Sequence, residues 1–167
     1  TDGARWNFLS FITPEVEGGS AVSDRKELQL FGAIRYFYAR PLALRDGRIL
    51  ASLRFQRDAR GIFWTDIFAS EDGGRTWSFL SRVNDWGAPG DIVEMQDGRI
   101  VCVYGYRLAP YGIRARVSED GGRTWGSEIV LRDDGGSWDL GYPRVIEAEP
   151  GRLLAVYQFN CADDPIQ

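Results

Sequence analysis

The sequence predicts an all-β chain assembled from repeated four-stranded antiparallel sheets. Three observations predict it. The stretch Ser70-Glu71-Asp72-Gly73-Gly74-Arg75-Thr76-Trp77 returns letter for letter as Ser118-Glu119-Asp120-Gly121-Gly122-Arg123-Thr124-Trp125, 48 residues further on. Ahead of each copy stands an Asp-Gly dipeptide between apolar runs, Asp46-Gly47 and Asp97-Gly98, the strongest short signal of a β-hairpin. A third, looser hairpin runs from Pro143 through Pro150-Gly151 to Leu154. A period of this size marks a repeat architecture.

The duplicated stretch reads as a turn rather than a site. An Asp carboxylate accepts nearby backbone N–H groups, paired glycines supply positive φ, and the Trp buries a flat surface that seats the turn on its sheet. A calcium loop is the competing reading, but the alternating oxygen ligands ending in Glu that such a loop needs are absent.

Composition narrows the functions. The 167 residues are 44% hydrophobic and 13% aromatic, as in a folded protein with a sizeable core. A net charge of -4 gives no basic face for nucleic acid, and no apolar run is long enough for a membrane span. With no histidine, Ser-His-Asp and Cys-His catalysis are excluded within the chain, along with the commonest transition-metal ligand. No metal or other cofactor is implied. Cys102 and Cys161 lie far apart, and Cys102, inside Ile100-Val101-Cys102-Val103, reads as a buried structural thiol. They leave the compartment open.

In chain order, Asp2-Gly3-Ala4-Arg5-Trp6 reads as the tail of a degenerate third turn, with Thr1 where the Asp belongs. Residues 9–29 read as a loop or insertion, and β signal resumes from Leu30 to Tyr38. Strands are expected near 41–45, 48–55, 62–69 and 76–81, then near 91–95, 99–105, 112–118 and 125–131, and last near 143–147 and 152–159. Four antiparallel strands per unit, with one turn at the same place in consecutive units, is the pattern of β-propeller blades rather than of a sandwich. Blades are expected at about 1–39 (partial), 40–88, 89–137 and 138–167 (partial), in a single domain over 1–167. About three blades cannot close a ring, since propellers use about four to eight. The chain therefore reads as part of a longer one, cut at both ends and with unpaired sheet edges.

Blade geometry also sorts the loops. The Asp-Gly turns and the duplicated turns share one end. The other end gathers Arg40-Pro41, residues 57–66, Asn84 to Asp91, Tyr106 to Arg114 and Trp138 to Arg144, where Arg, Asp, Tyr and Trp crowd around a central opening. Trp86 and Trp138 are read as opening equivalent loops, and Arg48, Arg99 and Arg152 as solvated residues on the wrong end.

The Ser-x-Asp-x-Gly-x-Thr-Trp turn, with Asp139-Leu140-Gly141-Tyr142-Pro143 and Ala155-Val156-Tyr157, resembles the Asp-box or BNR repeat of the sialidase (neuraminidase) superfamily of six-bladed propellers. The resemblance covers roughly residues 30 to 160 and implies an exo-acting glycoside hydrolase that removes a terminal sugar such as sialic acid from a glycan or glycoconjugate. Asp-boxes also occur in non-catalytic propellers, so a carbohydrate- or protein-binding module stands beside it. In sialidases three arginines hold the substrate carboxylate, a Tyr assisted by a Glu attacks the anomeric carbon, and an Asp is acid/base.

Carried over, Tyr142 resembles the nucleophile, and Arg114, with Arg107 as its rival, resembles an arginine of the triad. Arg40 lies one place too close to Pro41 for the Arg-x-Pro pattern. Asp91 and Glu94 are loose substitutes for the activating acid, and Asp139 or Asp66 for the acid/base. Arg144 and Trp138 complete the expected substrate-binding set. The competing reading packs Tyr142 beneath the last blade and pairs Arg107 and Arg114 with acids in a structural network.

Overall fold

The computed structural model describes Gly3 and residues 5–13, 35–56 and 63–161. Half of the degenerate first turn, most of the loop expected over 9–29, the strand signal from 30 to 34 and the loop residues 57–62 lie outside the described residues.

Among the described residues ten strands form three antiparallel sheets in simple up-and-down order. The first holds β1 (Arg35–Ala43), β2 (Ile49–Gln56), β3 (Phe63–Ser70) and β4 (Ser78–Arg82). The second holds β5 (Gly87–Glu94), β6 (Ile100–Tyr106), β7 (Tyr111–Ser118) and β8 (Ile129–Gly135). The third pairs β9 (Gly141–Glu149) with β10 (Arg152–Gln158).

The expected strands fall on these, with three differences at their starts. β1 starts at Arg35 rather than near 41, joining the β signal that ends at Tyr38 to the strand after it, and β5 starts at Gly87 rather than 91, within what reads as loop, because both first strands continue through a bulge. β8 starts at Ile129 rather than 125, because the Gly126 N–H donates back to the Val117 carbonyl at 2.8 Å and keeps the chain turning.

The Asp-Gly hairpins differ in one detail from the two-residue turn their sequence suggests. The Gly47 N–H donates to the Leu44 carbonyl at 3.0 Å and the Leu44 N–H to the Arg48 carbonyl at 2.8 Å, so three residues, Arg45 to Gly47, make the loop. Met95 to Arg99 repeats it with distances of 2.9 and 2.8 Å. This is the turn-plus-bulge hairpin whose last loop residue must be left-handed, and Gly47 and Gly98 fill it at φ 92° and 91°. Arg48 and Arg99 are not free in solvent: each donates through Nε to the Asp two residues back at 2.8 Å.

The duplicated turn folds the same way in both copies. Asp72 Oδ1 accepts the N–H groups of Arg75 and Thr76, both at 2.9 Å, and Oδ2 accepts the Thr76 hydroxyl at 2.7 Å. Asp120 accepts from Arg123, Thr124 and the Thr124 hydroxyl at 3.0, 2.8 and 2.6 Å. The Ser70 and Ser118 hydroxyls donate to these carboxylates and accept the N–H of Gly74 and Gly122 at 2.8 and 2.9 Å. Gly73, Gly74, Gly121 and Gly122 are left-handed, as the turn chemistry requires. Hydrogen bonds to the charged form hold both carboxyls well below the usual carboxylate range, chiefly those from Thr76 at Asp72 and from Thr124 at Asp120, which falls to about 2.

Each sheet is closed against the next. β2, β3 and β6 are buried almost throughout, whereas β4 and β8 are mostly exposed. Strands covered on both faces read as near-continuous apolar runs. One core layer joins Leu44, Leu50, Ile67 and Val83 of the first sheet and its flanks to Ile92, Ile100, Cys102 and Tyr104 of the second. The next joins Val101, Val103, Ile113 and Ala115 to Leu140 and Val145 beside the third. Burial pushes the Cys102 thiol up, so it stays protonated. The first strands β1, β5 and β9 are neighbours in turn, so the sheets meet along one side like paddles.

Polar ties repeat with the sheets. The Trp125 Nε1–H donates to Ser81 Oγ at 3.0 Å, and that hydroxyl donates to the Gly122 carbonyl at 2.5 Å. Trp77, Gly74 and Ser10 repeat the arrangement at 3.2 and 2.6 Å. Trp6-Asn7-Phe8-Leu9-Ser10 therefore stands to the first sheet as Trp77-Ser78-Phe79-Leu80-Ser81 stands to the second, and Gly3, at φ 74°, matches the turn glycines. At the hairpin end Glu94 accepts the Arg45 N–H at 2.9 Å, and Glu147 accepts the Gln96 N–H at 2.6 Å. Arg48 also reaches the second duplicated turn, where a Cβ on Gly121 would lie 2.6 Å from Arg48 Nη2. Hairpins and duplicated turns thus share one end.

Two outcomes follow. Ser81→Ala leaves the Trp125 N–H and the Gly122 carbonyl without their partner and is expected to lower the unfolding free energy by about 1–2 kcal/mol in urea denaturation. A carboxyl with a depressed folded pKa stabilises the fold above its unfolded pKa and loses that contribution as pH falls through the folded value. Thermal stability is therefore expected to drop between about pH 4 and pH 2, and Asp120→Asn to shrink the drop across that window.

Candidate functional site

The three first strands carry the same irregularity at the end opposite the hairpins. In β1, Tyr38 and Ala39 stand against Leu53 alone, between the pairs Phe37–Arg54 and Arg40–Ser52. In β5, Ala88 and Pro89 stand against Gly105, and in β9, Tyr142 and Pro143 against Tyr157. Such two-against-one bulges bend a strand and re-aim its side chains. At two of them the leading residue is an aromatic in the left-handed region, Tyr38 at φ 57° and Tyr142 at φ 51°. For a residue with a bulky side chain this is strained backbone.

Glycine brings the third sheet in. A Cβ on Gly105 would lie 2.9 Å from both Gly141 Cα and the Leu140 carbonyl oxygen, so the start of β9 rests on bare backbone of β6. That contact sets where Tyr142 stands.

Two buried arginines converge on this place. Arg54, on the face of β2 turned to the second sheet, puts its Cζ 4.0 Å from the Phe63 ring, 4.8 Å from Phe37 and 5.8 Å from Tyr38. Arg107, just past β6, lies 5.4 Å from the Tyr142 ring and 5.6 Å from both Phe63 and Trp138. Its Nε donates to the Ala88 carbonyl at 2.6 Å and its Nη1 to the Trp138 carbonyl at 2.7 Å, with Asp139 Oδ1 3.9 Å from the same nitrogen. Among the described residues Arg54 Nε and Arg107 Nη2 are buried without a hydrogen-bond partner. Burial lowers both guanidinium pKa values, and the Arg107 charge lowers that of Arg54 further. Tyr142 and Tyr38 act on both in the opposite sense. The Tyr38 and Tyr142 rings meet edge to face, 5.6 Å apart.

Of the residues expected from sequence, Tyr142, Asp139, Trp138 and Arg107 are thus brought together. Asp91 and Arg144 form a separate pair: Asp91 Oδ2 accepts the Val145 N–H at 2.9 Å, and Arg144 Nη1 stands 3.8 Å from Asp91 Oδ1. Arg40 lies two residues past Tyr38, opposite Ser52. Arg114 is held within the second sheet by the carbonyls of Arg132 and Pro110, by Glu128 at 3.5 Å and by the Tyr106 ring. Asp66 is buried beneath the Tyr36 hydroxyl, the Trp64 indole and Arg82 at 2.8, 2.9 and 3.3 Å. Trp86 and Trp138 do not hold equivalent places, since the bulge register matches Trp86 with the buried Leu140. Among the described residues no group of three or more His, Cys, Asp or Glu is placed to hold a metal.

Arg54 and Tyr38 are absent from the sequence-based set. A signal for Arg54 existed: it is the lone charge in Ile49-Leu50-Ala51-Ser52-Leu53-Arg54-Phe55, a strand that reads as buried on both faces. Tyr38 gave none, because a bulge is invisible without register.

Successive antiparallel sheets joined along their first strands, with arginine and tyrosine gathered at one end of those strands, define a β-propeller-like repeat protein. Residues 26–155 match the BNR repeat-like domain, and the chain belongs to that family. No curated protein matches it. Among solved structures, a protein of unknown function from Dyadobacter fermentans is 34% identical over 78% of this chain and 35% of its own, with a TM-score of 0.66. An α-L-arabinofuranosidase from Fusarium graminearum is 24% identical over 77% of this chain and 43% of its own, TM-score 0.58. A Hadza microbial sialidase is 18% identical over 77% of this chain and 25% of its own, TM-score 0.54. At these identities the two enzymes speak for the fold alone. The chain spans well under half the length of each of these structures.

Gly105→Ala is expected to push Leu140 to Tyr142 off β6 and to destabilise the fold by about 1–3 kcal/mol, read in chemical denaturation.

Proposed function

We propose that the chain is part of a six-bladed, carbohydrate-active propeller, with the three sheets as successive blades bordered near residues 40, 89 and 138. Its site acts on a glycan at the bulged end of the first strands. The observation that carries this is the convergence of two buried guanidinium groups, each with an unpartnered N–H, on Tyr142. Like charges buried side by side call for an anion, and a guanidinium fork suits a carboxylate. The similar arabinofuranosidase and sialidase lend the class, glycoside hydrolysis; the carboxylate preference favours a terminal acidic sugar such as sialic acid over a neutral one.

In this reading Arg107 and Arg54 hold the sugar carboxylate and Trp138 borders it. The Tyr142 oxygen, giving up its phenol proton to solvent and recovering it when the sugar leaves, attacks the anomeric carbon as the glycosidic C–O bond breaks. Asp139, whose Oδ1 stands 3.9 Å from Arg107 Nη1, gives its proton to the departing oxygen, and water then releases the sugar from Tyr142 and restores that proton. Asp91, tied to Val145 and Arg144, orients the start of β9, and Arg144 and Arg40 extend the binding surface. A tyrosine suits an anionic substrate because a carboxylate nucleophile would repel it.

A non-catalytic glycan-binding propeller is the second reading. It is favoured by Asp91, whose carboxylate is engaged by the Val145 N–H rather than by Tyr142.

The test is hydrolysis of fluorogenic α-N-acetylneuraminide and α-L-arabinofuranoside by the full-length protein. The sialoside is expected to turn over in preference, and Tyr142→Phe to reduce turnover at least about a thousandfold while circular dichroism stays unchanged. Binding of sialylated glycans without turnover selects the second reading, and neither binding nor turnover of any glycan overturns both.

A further inference from the structure

We infer that Tyr38 is a second tyrosine in direct contact with the ligand, set by the first sheet against Tyr142 across the Arg54–Arg107 pair to recognise the anionic end of a glycan. The inference rests on the functional reading above and adds a residue that neither the family resemblance nor the repeat pattern supplies.

Position is the first argument. Tyr38 and Tyr142 lead the same two-against-one bulge in β1 and β9, and both hold the left-handed backbone that a bulky side chain avoids. Glycine or asparagine would fill such a place with less strain. The third bulge, in β5, begins with Ala88, whose carbonyl receives Arg107. The two phenols therefore come from the first and third sheets, and the arginines from the first and second.

Burial is the second argument. A ring kept for packing would be covered, yet Tyr38 is 46% exposed. What it touches is the site itself: Tyr142 edge to face at 5.6 Å, the Arg54 guanidinium at 5.8 Å and the adjacent Phe37 ring at 5.2 Å. The two tyrosines make one aromatic wall beside unpartnered guanidinium donors, and Asp139, 3.9 Å from Arg107 Nη1, is itself more than half exposed. Donors on every side and net positive charge fit a carboxylate-bearing sugar, with the Tyr38 phenol as a further donor to it.

Calorimetric titration of the full-length protein with N-acetylneuraminic acid and with glucuronic acid, alongside thermal denaturation, tests this. Tyr38→Phe is expected to weaken binding of the acidic sugar about tenfold with no change in Tm, the effect of one lost hydrogen bond to a charged group. Tyr38→Gly is expected to weaken it further while Tm holds or rises, because the strained backbone is relieved. Unchanged affinity in both variants, with Tyr142→Phe impaired, overturns the inference and leaves the functional reading standing. A fall in Tm for Tyr38→Gly comparable to that of a packing residue overturns it too, since the ring would then be structural. If the unaltered protein binds neither sugar, the carboxylate reading of the site fails and the inference with it.

Discussion

The constraint on which everything else depends is that the inner strands of the first two sheets are covered on both faces. A strand such as β2 or β6 is covered above and below, so no sheet here is stable unless another lies against it. Stacking is therefore built into the sequence rather than added to finished sheets. It explains the glycines where backbones meet, the outer strands left exposed, and ties made at both ends of each contact. One layer runs from Leu50 and Ile67 across to Tyr104, and the next from Val103 and Ile113 across to Val145.

Within that constraint, charge is distributed unevenly. At the hairpin end, carboxylates are satisfied locally: Asp46, Asp72, Asp97 and Asp120 each accept from residues two to four places away, and Glu94 and Glu147 from the neighbouring sheet. At the bulged end Asp66 and Asp91 are buried with partners, whereas the buried Arg54 and Arg107 are incompletely satisfied. Removing a guanidinium from water without pairing it is costly. Arg54 and Arg107 are retained against that cost by aromatic faces and by carbonyls, and part of their donor capacity is left for something else.

Much of this was legible in the sequence. The duplicated turn, its Asp and glycines, the strand order and the division of loops between two ends all follow from short-range chemistry, in which a residue's neighbours in sequence are its partners in space. Tyr142, Asp139, Trp138 and Arg107 were also reachable, because one stretch carries three of them. What escaped depends on register. Tyr38 and Tyr142 are equivalent only once Leu53 and Tyr157 are seen to face two residues each. Arg114 looked as suitable as Arg107, yet it follows β7 into carbonyls of its own sheet. Ser10 and Ser81 are ordinary serines until the Trp and Gly they join are placed beside them.

The fastening of hairpins by Glu94 and Glu147 has a mechanical meaning. Each grips a backbone N–H of the adjacent sheet's turn, to which Glu94 adds the Arg45 guanidinium at 3.3 Å. The hairpin end therefore behaves as a hub whose spacing is indifferent to which residues decorate it. Loops at the far rim can lengthen, shorten or change their chemistry without altering how neighbouring paddles are pitched. A scaffold of this kind separates the parts that keep shape from the parts that choose a ligand.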